Sequence, residues 1–311
     1  MATQYAAARE KLPASTTTAG VRLRVGDLDA MTAFYRDVLL LDVLDGEARP
    51  DEVVLGRRLG AAGRSADLPL VTLQHAPELP AGAPRGAGLF HTALLHADQA
   101  ALAETLASVA TRTPHLYTGA GDHHVSQAFY LDDPEGNGVE LYVDRPRDTW
   151  RWDGDQVYMT TEYIDPRAFL DQHLTIDARE RLAASPASGT GRHAATTVGH
   201  VHLRVGSVPQ ARAFYVDALG LDATLDMGSA LFVSAGGYHH HLAMNTWQSL
   251  GAGARVPELG LGRVDLAVPA RGDVEAATAR LRAAGVQVRD DGLALEVDDP
   301  WGNLVRVAPT C

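Results

Sequence analysis

The segment VRLRVGDLDAMTAFYRDVLLLDV at residues 21–43 decides the fold, because a close copy of it occurs later in the chain. Residues 201–223 read VHLRVGSVPQARAFYVDALGLDA and agree with the first copy at 12 of 23 positions without a gap. Two further similar segments, DDPEGNGVELYV from Asp132 and DDPWGNLVRVAP from Asp298, close the two copies. Internal repeats of this kind indicate a duplicated structural unit. We therefore predict two halves of similar structure.

Each half is predicted to contain two units in which a strand is followed by a helix and then by further strands. In the quoted repeat, alternating apolar residues predict a strand, and the stretch that carries Ala-Phe-Tyr has helical periodicity. The pattern restarts at GLFHTALL (88–95) and at GRVDLAV (262–268), each of which precedes a helical segment. Short strands such as PLVTLQ (69–74) follow. The predicted fold class is α+β, with four tandem βαβββ units.

The domain boundaries follow from the repeats and from a change in composition. We predict a first domain over residues 17–165, a linker over residues 166–192 and a second domain over residues 193–311. The linker segment is partly helical in pattern and ends in ASPASGTGR, whose small residues are typical of a connecting segment.

Composition excludes several classes of protein. The 311 residues are 46% hydrophobic, which is enough for two hydrophobic cores. The 39 acidic residues exceed the 27 Lys and Arg residues, and the formal net charge is −12. Nucleic-acid-binding proteins need a basic face, and the sequence has no basic cluster of that kind. We expect no nucleic acid partner.

The expected location is the cytoplasm. Cys311 is the single cysteine, so an internal disulfide cannot form, and this favours a reducing compartment. The N-terminal segment MATQYAAAREKLPAST has charged residues where a signal peptide would be apolar. No later stretch approaches the ~18 apolar residues that a membrane span requires. We expect neither secretion nor insertion into a membrane.

The four βαβββ units in two tandem pairs resemble the vicinal oxygen chelate superfamily, which includes glyoxalase I, bleomycin-resistance proteins and extradiol dioxygenases. The resemblance covers about residues 17–310. It is closest in GLFHTALL, GDHHVSQAFYLDDPEGNGVELYVDRPRDTW, TVGHVHLRV and SAGGYHHHLAMNTW, which are similar to two-domain dioxygenases of the catechol-2,3-dioxygenase type. This resemblance implies two domains with open, curved sheets and a metal-dependent activity.

In this superfamily one metal ligand lies on the first strand of a unit and another lies on its last strand. The second unit has His91 and Glu140 at these positions, and the third unit has His200 on its first strand. Two His and one carboxylate form the ligand set of non-haem Fe(II) enzymes that activate oxygen. The resemblance thus implies Fe(II), with Mn, Zn or Ni as alternatives.

The first and fourth units lack this set. Gly20 stands at the first-strand position of unit one, and Arg263 and Arg306 stand at the two positions of unit four. Because an arginine cannot ligate a cation, we expect unit two of the first half to pair with unit three of the second half. His202 matches Arg22 in the other copy, and we expect it to lie outside the ligand set.

The resemblance also implies residues that act beside the metal. His241 in the His239–His241 run matches the acid-base His of extradiol relatives, and alternation along a strand would place His239 on its side. Imidazole suits proton transfer near neutral pH. Tyr130 stands ten residues before Glu140, where relatives have a Tyr that hydrogen-bonds the substrate, and His123 resembles a loop His of the same site.

Three functions remain open on the sequence. The first is extradiol cleavage of a small aromatic diol with O2 and Fe(II). The second is a glyoxalase-type isomerase or lyase, for which His241 is available as a fourth ligand. The third is a binding protein of the bleomycin-resistance kind, which would not need the three ligands. A homo-oligomer is compatible with each of them.

Overall fold

All four predicted units are present in the computed structural model, which describes residues 11–44, 49–58, 67–184 and 196–310. Unit one comprises β1 (Thr17–Val25), α1 (Leu28–Ala33), β2 (Asp42–Val43), β3 (Glu52–Arg58) and β4 (Asp67–His75). Unit two comprises β5 (Gly88–Leu95), α2 (Gln99–Arg112), β6 (Tyr117–Asp122), β7 (Ser126–Asp132) and β8 (Gly138–Asp144). The alternating and helical patterns of the sequence therefore predicted these elements correctly.

A short connecting region separates the two halves of the chain. It comprises the hairpin strands β9 (Trp152–Asp153) and β10 (Gln156–Val157) and the helices α3 (Pro166–His173) and α4 (Ile176–Ala184).

Unit three comprises β11 (Thr197–Arg204), α5 (Val208–Arg212), β12 (Asp222–Asp226), β13 (Ala230–Ser234) and β14 (Leu242–Asn245). Unit four comprises β15 (Gly260–Val268), α6 (Arg271–Ala283), β16 (Arg289–Asp290), β17 (Leu295–Asp298) and β18 (Leu304–Pro309).

The two large sheets combine units from different halves of the chain. The first sheet has the order β16-β17-β18-β15-β1-β4-β3-β2, so units four and one share it. The second sheet has the order β12-β13-β14-β11-β5-β8-β7-β6, so it joins units three and two. Both sheets are open. At the centre of each sheet the first strands of the two units pair in antiparallel orientation, β1 with β15 and β5 with β11. The predicted pairing of unit two with unit three is confirmed.

The repeated Phe-Tyr and Asp-Asp-Pro motifs hold the two units of each half together. In both copies the helix that follows the first strand widens into a π-helical turn, Phe34–Val38 and Ala213–Ala218. Tyr35 in the first turn donates a hydrogen bond of 3.2 Å to Asp133 of unit two, and Tyr215 in the second donates one of 2.9 Å to Asp299 of unit four. The repeat therefore encodes a contact within each half, whereas the strand ladders connect the halves.

Residues 166–184 of the predicted linker fold as α3 and α4 and pack on α2. Phe169 is buried, and Arg181 donates a charged hydrogen bond of 3.0 Å to the buried Glu104 of α2. An apolar contact and an ion pair hold these two helices against α2, so residues 166–184 do not act as a flexible linker. Residues 185–195 lie outside the described ranges, and the domain boundaries stay predictions.

Two observations concern the expected location. None of the described helices is long and apolar enough to cross a membrane. Of the N-terminal segment 1–16 and the cysteine on which the expected location rests, residues 1–10 and Cys311 lie outside the described ranges.

Candidate metal centre and cavity

Three ligand-type side chains converge at the centre of the second sheet. His91 lies on β5, Glu140 lies on the neighbouring β8, and His200 lies on β11, which pairs with β5 from the other side. Glu140 Oε2 is 2.9 Å from His91 Nε2 and 3.1 Å from His200 Nε2. All three side chains are buried. Within the described residues they form the one group of three such side chains close enough to share an ion.

The donor set fits a metal ion better than it fits a network of hydrogen bonds. His91 Nε2 is buried beside the carboxylate yet makes no hydrogen bond of acceptable geometry. Ligand atoms about 2.1 Å from one ion in adjacent positions lie roughly 3 Å apart, which is the spacing seen around Glu140. A buried nitrogen that is close to an acceptor without a proper hydrogen bond is explained when both atoms are directed at a third partner.

The protonation states also suit a cation. Burial lowers the pKa of His200 to about 4, which keeps its imidazole neutral. Burial opposes ionisation of Glu140, but the neighbouring His200 and His91 outweigh it and hold the pKa of the carboxyl well below its ordinary value. Neutral imidazole and ionised carboxylate are the forms that bind metals.

A glycine at the start of β8 lets the strand approach β5 closely. A Cβ at Gly138 would lie 2.1 Å from the carbonyl oxygen of Phe90 and 3.1 Å from the side chain of His91. Because this contact is with backbone, a side chain there can be accommodated only if β8 moves away from β5. Gly138 thereby sets the distance between Glu140 and His91.

We expect Gly138→Ala to lower metal affinity and to destabilise the protein by ~1–3 kcal/mol, the usual cost of overpacking. The measurements are metal content after dialysis and the thermal unfolding midpoint. Gly119→Ala is the matched control, because a Cβ at Gly119 would meet nothing within 4 Å. Equal metal content in the two variants would contradict the expectation.

His123 and Tyr130 form a hydrogen-bonded pair beside the three ligands. His123 Nδ1 is 2.8 Å from the carbonyl oxygen of Thr160, which can only accept, so Nδ1 carries the proton. His123 Nε2 then accepts a hydrogen bond of 2.8 Å from the Tyr130 hydroxyl. Burial and the nearby Glu140 raise the pKa of Tyr130 well above its ordinary value, so its hydroxyl stays protonated. Both predicted residues line the cavity above the ligands.

The structure does not place His241 in the lining of this cavity, and it places His240 there instead. The expectation of a continuous strand through the His run is wrong, because the chain turns at Gly236 and Gly237 and β14 begins only at Leu242. His241 Nδ1 accepts a hydrogen bond of 3.2 Å from the backbone of Ala235. The His240 ring lies 4.0 Å from the His200 ring, measured between centroids.

The strand register identifies a different counterpart of Glu140 in unit three. Glu140 pairs with Ala93, two residues after His91, and the equivalent position of unit three pairs with His202, two residues after His200. That position is Ala243. The register therefore gives the position that matches Glu140 to Ala243, two residues after His241.

A chain of hydrogen bonds orients His240. Asp144 Oδ1 accepts a bond of 3.0 Å from His239 Nε2. His239 Nδ1 and His240 Nδ1 lie 2.7 Å apart and share a hydrogen bond. The Nε2 atom of His240 is the ring nitrogen that this chain of hydrogen bonds does not use. Burial lowers the pKa of His240 well below its ordinary value, and the neighbouring His200 lowers it further.

Sequence reasoning missed several residues around the three ligand-type side chains. His202, which we expect to lie outside the ligand set, lies on the same face of β11 as His200 and lines the cavity. Its Nε2 accepts a hydrogen bond of 3.0 Å from Asn245. The separation of two residues between His200 and His202 was the available signal, since strand neighbours two apart share a face. Phe90 and Phe232 carry no such signal, because apolar residues on strands are ordinary core residues, and Trp247 lies in a turn after β14.

The cavity above the three ligands has a volume of about 800 Å³. Its lining includes the buried His91, Glu140 and His200 as well as Met227 and Trp247, whose side chains are exposed. This volume is near the upper end of the range for small-molecule sites, ~300–1,000 Å³. The arrangement can therefore hold an ion at its base and an organic molecule above it.

The equivalent face of the first sheet carries ion pairs in place of ligands. The register places Arg263 where the second sheet has His91, Arg306 where it has Glu140, and Gly20 where it has His200. Arg263 lies 2.8 Å from Asp265 and 3.3 Å from Glu296, and Arg306 lies 3.9 Å from Asp265. The cations of this network cannot bind a metal ion, in agreement with the prediction for these units.

Comparisons with known proteins agree with this architecture. The family model of the Glyoxalase/Bleomycin resistance protein/Dioxygenase superfamily matches residues 17–141 and 197–307. Catechol-2,3-dioxygenase of Bacillus subtilis (strain 168) is 34% identical over 283 residues, which are 90% of this chain and 92% of that protein.

Solved structures support the fold alone. Glyoxalase I from Zea mays has a TM-score of 0.54 at 14% identity, over 95% of this chain and 92% of that one. The cppA protein from Streptococcus pneumoniae TIGR4 has a TM-score of 0.54 at 10% identity, over 97% of this chain and 99% of that one. With its repeated βαβββ units and the match over both halves, the chain belongs to the Glyoxalase/Bleomycin resistance protein/Dioxygenase superfamily.

Proposed function

We propose that this protein is an extradiol dioxygenase, which cleaves the ring of a catechol-type diol with O2 and uses Fe(II) held by His91, Glu140 and His200. The observation that carries the proposal is the buried group of two His and one carboxylate at the base of an open cavity. This is the ligand set of oxygen-activating non-haem iron enzymes, which leaves positions free for substrate and oxygen. The similarity to a catechol-2,3-dioxygenase supports the same reaction.

A glyoxalase-type reaction is less well supported by the same face of the sheet. Such a site would use a fourth protein ligand at the position that matches Glu140, and this chain has Ala243 there. The three ligands also argue against a binding protein without a metal.

Iron would supply the template that holds diol and oxygen together and the path for electrons between them. The chain's own residues hold and move protons. His240 Nε2, which the hydrogen bonds to His239 and Asp144 leave unused, takes a proton from a diol hydroxyl and later returns it. His123 fixes the direction of the Tyr130 hydroxyl, whose oxygen can then accept a hydrogen bond from the bound diol.

The test of the proposal is anaerobic purification, metal analysis and measurement of O2 uptake with a panel of catechols. We expect stoichiometric iron, consumption of O2 that depends on the diol, and a yellow ring-opened product. A protein that binds zinc or nickel and consumes no O2 with any diol would contradict the proposal.

We expect His240→Ala to slow ring cleavage by ~10²-fold or more with the metal retained, because general acid-base catalysis contributes on that scale. His241→Asn is the matched comparison and should have a much smaller effect, since Asn can still accept the hydrogen bond from Ala235. Rate and metal content are measured on the same preparations. If His241→Asn were the slow variant and His240→Ala were not, the proton-transfer role would belong to His241.

A further inference from the structure

The charge and the walls of the cavity indicate which diol it takes. Resting on the function proposed above, we propose that the substrate is an uncharged catechol with an apolar, ring-sized substituent, and that carboxylated catechols are poor substrates. Three features of the cavity carry this inference: its lack of cations, its aromatic wall and its size.

The described residues that line the cavity include neither Lys nor Arg. Their carboxylates are Glu140, which belongs to the ligand group, and Asp132. Proteins that recognise carboxylated ligands use Arg or Lys for charge-assisted hydrogen bonds. A catechol with a carboxylate substituent would find no such partner here and would lose part of its hydration.

Asp132 would in addition repel the carboxylate of such a catechol. It ends β7 and lies on the same face as Tyr130, two residues away, so the Cα atoms of these two residues are roughly 7 Å apart along the strand. Its carboxylate makes no ion pair within the described part of the chain. Two like charges held about 7 Å apart in partly buried surroundings repel each other strongly enough to reduce binding by about tenfold or more.

An aromatic wall faces the space above the ligands. The rings of Phe90 and Trp247 are 5.4 Å apart, those of Phe90 and His202 are 5.0 Å apart, and those of His202 and Phe232 are 5.8 Å apart. All of these pairs have edge-to-face geometry, and such a wall offers ring edges and faces to a further ring.

Aliphatic side chains also line the cavity. They include Met159, Leu225 and Met227, and the first two pack against the cluster of buried residues that contains Phe232. Methionine side chains adapt to ligands of different shapes. A volume of about 800 Å³ exceeds what a bare catechol ring fills, which leaves room for a substituent in a cavity lined by these side chains and by the aromatic wall.

The first experiment compares kcat/KM among four diols on the iron-loaded protein, namely 3-phenylcatechol, 4-tert-butylcatechol, 3,4-dihydroxybenzoate and dopamine. Binding of the same compounds is measured anaerobically by calorimetry, which needs no turnover. We expect the two apolar catechols to exceed the carboxylate by at least ~10-fold in both measurements. Equal values for the carboxylate, a preference for the cationic dopamine, or no binding of any compound would overturn the inference.

The two measurements separate this inference from the proposed function. Selective binding of the apolar catechols without any O2 uptake would contradict the dioxygenase and support the substrate class. Ring cleavage of all four compounds with similar efficiency would support the dioxygenase and overturn the substrate class.

Variants of two residues that line the cavity test which side chains cause the substrate preference. Trp247→Ala should lower the preference for 3-phenylcatechol over catechol, and Trp247 is 52% exposed, so its removal should not disturb folding. Tyr163→Ala, at a residue that is 85% exposed and lies outside the cavity lining, is the control.

Asp132→Asn should make the carboxylated diol, 3,4-dihydroxybenzoate, a several-fold better substrate relative to catechol, with Asp153→Asn as its control. Unchanged preferences in both Trp247→Ala and Asp132→Asn would overturn the inference.

Discussion

His91→Ala, Glu140→Ala and His200→Ala should each lose the bound metal, with an affinity reduced by well over 100-fold, and should have no ring-cleaving activity. Residues that only support a ligand through a hydrogen bond already affect metal affinity by ~10–100-fold, so removal of a ligand must have a larger effect. Metal analysis after gel filtration measures the loss of the metal. Circular dichroism on the same samples shows whether the fold is retained.

His202→Ala is the control for these three variants. Its ring lies 4.9 Å from that of His91 and its Nε2 is already occupied by Asn245, so it should retain most of the metal. If His202→Ala released the metal and His200→Ala did not, the assignment of ligands along β11 would be wrong by two residues.

Neither half of the chain, residues 1–165 or residues 193–311, should bind iron tightly when it is expressed alone. His91 and Glu140 come from the first half, and His200 comes from the second. Separation also removes β11 from β5 and β15 from β1, which leaves central strands of both sheets as open edges. Such edges favour aggregation. Metal content and solubility of each fragment are the measurements.

Co-expression of the two fragments is the matching control, because it supplies both sets of strands. We expect the co-purified pair to recover metal binding that neither fragment has alone. An isolated half with stoichiometric iron and ring-cleaving activity would contradict the site formed between the halves.

Part of the candidate site was predictable because it depends on local patterns that repeat. The duplicated segment predicted the units, and the position of a ligand within a unit then followed from the family resemblance for His91, Glu140 and His200. The pairing of units two and three was also predictable, because Arg263 and Arg306 are chemically unable to bind a cation. These inferences need residue type and order, and both are present in the sequence.

The orientation of the His run and the character of the cavity depended on tertiary structure. The sequence by itself determined the units and the three ligand-type residues, whereas only the fold decided that His240 faces the cavity and His241 does not. The physical reason is the turn at Gly236 and Gly237, where positive φ angles break the alternation on which strand reasoning relies. The aromatic wall likewise joins Phe90 of one half to Phe232 and Trp247 of the other, and only the pairing of β5 with β11 brings those distant segments together.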